Sequence, residues 1–233
     1  MRKIFLLMTL IFTLMTATAF AAENETQPNQ TQSAENQSAE SQFYEYTSEV
    51  YGFKIICPVK PAVVVNPFED PKQKGELLVF ANDGMKIIYG YQILLDAFDT
   101  KKVPDFNKDK KKVIDAYIEK LKADNAYEFV GLETVARYKN GTENKGVVLF
   151  TAKEIEVMGD NGEVEGTLTA DEQTAFTYFR SRSGRCISIQ LITSDFNEDN
   201  IIDYRKSVAT YRDATDLAMP PEDNDKKSKK KKK

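Results

Sequence analysis

The residues of this chain whose types and spacing could do chemistry fall into four groups. Arg180, Arg182 and Arg185 surround the dipeptide Ser183-Gly184. Three guanidinium forks at one turn could hold a phosphate or carboxylate, although hairpin ends also carry charge simply to block edge-to-edge aggregation. Asp160, Glu163, Glu165, Asp171 and Glu172 gather in and after a second turn. Oxygen ligands of this kind suit calcium, but the spacing is not that of the twelve-residue EF-hand loop, and a solvated acidic hairpin is the plainer reading. Cys57 and Cys186 are the only cysteines. An oxidising compartment permits a disulfide between them, and two unpaired buried thiols are the alternative. Their separation of 129 positions excludes a C-x-x-C redox pair. Finally, Lys226, Lys227, Lys229, Lys230, Lys231, Lys232 and Lys233 form a basic block. Such a block either contacts polyanions through counterion release or serves as a solubilising tail.

What is missing narrows the chemistry further. The chain has no histidine, which removes Ser-His-Asp and Cys-His schemes and histidine-containing metal sites. Two cysteines are too few for a thiolate zinc or iron–sulfur site. No P-loop, dinucleotide fingerprint or nucleophile elbow is present. No cofactor is expected. Two carboxylates acting as acid and base on a glycan remain conceivable, so a carboxylate-dependent hydrolase of envelope glycans is the enzymatic alternative. Tyr89, Tyr91 and Tyr178 could form an aromatic shelf, or pack a sheet beneath a helix.

Location constrains partners. Arg2 and Lys3 precede an apolar run from Ile4 to Met15, and Ala19-Phe20-Ala21 gives a small-x-small cleavage pattern. Residues 1–21 therefore read as a secretory signal peptide, and the protein as secreted or periplasmic. The mature chain is expected to contain no transmembrane segment. Removing the two basic residues of the signal peptide leaves 30 − 36 = −6; removing the seven terminal lysines as well leaves 23 − 36 = −13. A body this acidic argues against nucleic acid as a partner. The expected partner is an envelope protein, or an anionic polymer or lipid met by the lysine tail.

These groups need a scaffold. Residues 22–42 are polar and lack large apolar side chains, as expected of a disordered linker. Asn24, Asn29, Asn36 and Asn140 stand in N-x-[ST] sequons, which chance explains in so polar a composition. One domain is expected over 43–217, followed by a disordered lysine-rich tail over 218–233. Strands are predicted at 43–47 and 52–57, the second stopped by Pro58 and followed by an irregular stretch through Pro71. Asn82-Asp83-Gly84 predicts a hairpin between strands 77–80 and 85–95, apolar on both faces and so central in a sheet. Val113, Ile114, Tyr117, Ile118 and Leu121 predict a helix over 108–123. Strands follow at 127–137, 146–157, 173–181 and 185–194. Asp195 with Glu198 resembles a capping box opening a helix to about 212. The class is α+β: an antiparallel sheet of several strands packed with two main helices.

The pattern Tyr46-Thr47-Ser48, Tyr51-Gly52-Phe53-Lys54-Ile55, Pro58, with this element order over about 43–215, resembles the PsbP/Mog1-like fold group. The resemblance implies a binding or assembly module rather than an enzyme, and it carries no catalytic residues.

Overall fold

A computed structural model describes residues 43–217 apart from 71, 83, 85, 139–141, 160 and 161. The segments expected to be a signal peptide, a polar linker and a lysine tail, the four sequon asparagines and Asp160 lie outside the described residues.

The fold is α+β, built on a seven-stranded antiparallel sheet in the order β3-β4-β5-β11-β10-β7-β6. Its strands are β3 (Val63–Val65), β4 (Lys74–Ala81), β5 (Ile87–Leu95), β6 (Tyr127–Arg137), β7 (Glu143–Thr151), β10 (Thr174–Arg180) and β11 (Cys186–Thr193). Two hairpins stand outside it: β1 (Tyr44–Thr47) with β2 (Lys54–Cys57), and β8 (Glu154–Met158) with β9 (Val164–Thr169). The described helices are α1 (Lys111–Lys122), α2 (Glu198–Thr210) and the single turn α3 (Ala214–Leu217).

Alternation along the strands sends side chains to two faces, and each face has its own cover. On one, Leu78, Tyr91, Ile93, Ile187, Ile189 and Leu191 meet Phe53 and Ile55 of β2 and Tyr204 and Val208 of α2 in the larger core. On the other, Val147, Leu149 and Phe176 pack under Ile114 and Ile118 of α1. Tyr204 joins its hydroxyl to the Ile189 carbonyl at 2.6 Å and to the Thr177 hydroxyl at 2.8 Å. Its buried oxygen is thereby satisfied, and α2 is fixed to the middle of the sheet.

Several local expectations change. Val113 is half exposed, so the α1 stripe is Ile114, Tyr117, Ile118 and Leu121. The stretch after Pro58 contains β3, whose three β-branched valines pair only with β4; Pro61 is tolerated because this is the sheet's outer strand. The single strand expected over 146–157 breaks after Thr151, and its second part turns out of the sheet to pair with β9. Asp195 does not cap α2. Asn197 is the N-cap, its side-chain oxygen accepting from the Asn200 N–H at 2.9 Å. Asn197→Ala should cost about 1 kcal/mol in a denaturant titration, while Asp195→Ala should cost less.

Candidate functional site

β1 and β2 meet at the turn Ser48–Gly52, where the Gly52 N–H reaches the Ser48 carbonyl at 3.0 Å. Gly52 takes a φ of 71°, a left-handed conformation that favours glycine. This turn stands over the β3–β4 side of the sheet. Between them lies an open cleft of about 460 Å³, lined by Tyr44, Tyr46, Glu49, Tyr51, Val64 and Glu76 among others.

Glu76 forms the cleft's chemical centre. It sits third in a strand whose next residues are Leu77, Leu78, Val79 and Phe80, and it is only 5% exposed. Tyr46 donates its hydroxyl to Glu76 Oε2 at 2.8 Å, and Ser48 donates to Oε1 at 2.8 Å. Ser48 in turn accepts from the Tyr51 N–H at 2.8 Å, so the turn and the carboxylate are positioned together. The described residues place no ion pair on Glu76. Burial, the bond to Glu76 and the neighbouring carboxylates push the Tyr46 phenol well above its usual pKa, keeping it a proton donor. Two hydroxyl donors use about half of a carboxylate's acceptor capacity. A buried charge ordinarily has an ionic partner; among the described residues Glu76 has none, and it lines the cleft. The Lys60 ammonium, outside the cleft lining, stands 6.0 Å from the centre of the Tyr44 ring, at the outer limit of a cation–π contact.

The arginines around the β10–β11 turn serve different partners. Arg180 donates to the carbonyls of Thr100 and Val103 at 2.9 and 2.6 Å, tying down the loop that follows β5. Arg185 grips Asp96 with two nitrogens, both at 3.2 Å, and lies 3.5 Å from Asp213. The Arg182 backbone N–H donates to Asp216 at 2.9 Å. Arg180 through its Nη2 and Arg185 through Nε, Nη1 and Nη2 are thus engaged by the protein's own carbonyls and carboxylates.

Both cysteines are free. Cys57 belongs to the core beneath α2, whereas Cys186 pairs with Arg180 and points to the opposite face from its neighbour Ile187, which lies in that same core. The sheet lies between the thiols, so the disulfide does not form. Burial pushes Cys57 up to about 12 and also raises Cys186. At pH 8 the Cys57 thiolate fraction is then about one in ten thousand. Iodoacetamide should leave both thiols unmodified in the native chain, and denaturation without reductant should release two titratable thiols.

Tyr89 and Tyr91 form no surface shelf. They pack with Phe80 under α2, while Tyr178 stacks with Phe176 on the other face. Of the acidic group, Glu163 and Glu165 belong to the exposed β8–β9 region, and burial next to Asp171 raises Glu172 above the usual carboxylate range. Among the described residues, no three His, Cys, Asp or Glu side chains are placed to hold a metal ion. No described helix is long and apolar enough to cross a membrane.

Set beside known proteins, the chain is matched by no family model and by no curated protein.

Proposed function

We propose that this chain is an exported, non-enzymatic binding module of PsbP/Mog1-like architecture at the cell envelope, and that its cleft receives a positively charged group of its partner. The observation that carries this reading is Glu76: a 5% exposed carboxylate, held by two hydroxyls and without a described cation, at the foot of an open aromatic cleft. A ligand ammonium or guanidinium there would meet Glu76 below and tyrosine faces at the sides. Such a charge-assisted contact is about twice as strong as a neutral hydrogen bond. The polar linker provides reach from the envelope, and the lysine tail adds attraction to anionic surfaces.

The test is retention of envelope components on the immobilised mature chain, wild type against Glu76→Gln. Glutamine keeps the size and hydrogen-bonding ability of the side chain and removes its charge. The expected result is a component that salt elutes from the wild type and that the variant fails to retain. Equal retention by both chains would remove the cleft from the function.

A further inference from the structure

The cleft has a candidate occupant within the same chain, and this step rests on the reading of the cleft as a cation site. α3 is the last described element, and it begins beside the cleft: a Cβ placed on Gly52 would lie 3.2 Å from the Ala214 Cβ. Gly52 directly follows Tyr51, a cleft wall. Lys54 and Arg212 exchange backbone hydrogen bonds at 2.9 and 2.8 Å, so the segment leading into α3 is joined to β2 itself. Asp216 then holds α3 in place by accepting from the Arg182 and Ser183 N–H groups at 2.9 and 2.7 Å. The sequence after Leu217 therefore departs from a single fixed turn whose first residue lies against Gly52 and whose Asp216 is held at the β10–β11 turn.

Residues 218–225 lead from that point to the lysines of 226–233. Eight extended residues reach about 26–29 Å, several times the roughly 5 Å rise of the single turn that separates Leu217 from the Ala214–Gly52 contact. The charges are complementary: the tail holds seven lysines, and the body without it carries 23 − 36 = −13. Surface chemistry matches as well. Val50, 75% exposed, and Val64 on β3 offer methyl groups to a lysine stem, while Tyr44, Tyr46, Tyr51, Glu49 and Glu76 surround its ammonium. Tethering works in the same direction, since joining two binding partners by a short stretch of chain raises their effective concentration, typically to the millimolar range. Even a weak lysine site would then be filled by its own chain.

We infer that the lysine block Lys226–Lys233 docks in the Tyr44–Tyr46–Tyr51–Glu76 cleft of its own chain and competes there with the cationic group of a partner.

The probe is a fluorescent peptide with the sequence of residues 226–233, followed by anisotropy at low salt and at about 0.15 M. Three proteins are compared: the mature chain through Lys233, the same chain ending at Asp225, and the shortened chain carrying Glu76→Gln. The shortened chain should bind the peptide, and the full chain should bind it at least about tenfold more weakly because the site is filled. Glu76→Gln should lose about tenfold, and peptide acetylated on every lysine should not bind. Tyr51→Ala in the shortened chain repeats the test through the cleft wall, should the glutamine variant fail to fold by circular dichroism. Equal binding by full and shortened chains overturns the inference, as does no binding to the shortened chain. Binding that neither Glu76→Gln nor Tyr51→Ala weakens also overturns it, since that is general attraction to an acidic body. If the shortened chain rejects the peptide yet retains an envelope component through Glu76, the tail inference falls and the cation-site reading stands.

Discussion

Replacing Arg185 with methionine is expected to destabilise the fold by about 3–5 kcal/mol, a large part of the stability of a typical domain. The reason lies in Asp213, whose exposure is 1%. Its Oδ2 accepts from the Thr215 N–H at 3.2 Å and from the Thr215 hydroxyl, and Oδ1 accepts from Tyr211 at 3.4 Å. Among the described residues Arg185 is its ion-pair partner. Methionine preserves most of the apolar stem but strands a buried negative charge. Adding Asp213→Asn should recover much of the loss, because the second change removes the charge that the first left unpaired. A double-mutant cycle of urea midpoints, with unchanged m-values, measures that coupling. The separate contact of Arg185 with Asp96 has a pH signature. Arg185 holds the Asp96 carboxyl below the usual carboxylate range. Stability from that contact is therefore complete above the unfolded value, about 3.9, and is lost as pH falls through the lower folded value. Below that point the gap between the acid unfolding curves of the wild type and the Arg185 variant should narrow by the share that Asp96 contributes.

This network changes the meaning of an arrangement that was visible in the sequence. Arg180, Arg182 and Arg185 do share one turn, and the Ser183-Gly184 signal places that turn correctly between β10 and β11. Sequence spacing identified the cluster of charges but not their partners, because Asp96, Thr100, Val103 and Asp213 lie 28 to 89 positions away. The same division runs through the fold. Asn82-Asp83-Gly84 predicts the β4–β5 hairpin because the turn is decided locally, and Asn82 accepts from the N–H groups of Gly84 and Lys86 as such a turn requires. The helix stripe of α1 is legible for the same reason. By contrast, Val63–Val65 carries the β-branched run of a strand, but its place at the sheet edge depends on β4, whose paired residues lie 12 to 16 positions later. Cys57 and Cys186 both sit in strands, but the side of the sheet to which each points depends on register. Glu76 left one clue: a carboxylate entering a strand that is otherwise apolar on both faces. Its partners Tyr46 and Ser48 are 30 and 28 positions earlier, and only the folded chain brings the three together.

Glu76→Gln should make the protein more stable and less able to bind. In the unliganded chain the charge at Glu76 is buried against two hydroxyls without a described cation, so its desolvation is only partly offset. Glutamine retains an acceptor for one hydroxyl and offers its amide to the other, whose oxygen can accept in turn. Removing the charge should stabilise the shortened chain by roughly 1–2 kcal/mol and raise its unfolding midpoint by about 2–8 °C. Glu76→Ala should do the opposite, because it leaves Tyr46 and Ser48 without their acceptor and opens a void beneath the β1–β2 turn. The two variants therefore separate charge from shape: both should lose the lysine peptide, while their midpoints move in opposite directions. A glutamine variant less stable than the wild type would mean that the carboxylate serves the fold rather than a ligand. A rise in stability coupled to loss of binding is the pattern of a site kept for function at a cost to the resting fold. In the full-length chain the stabilisation should shrink, because a docked lysine block would already supply the missing positive charge to the wild type.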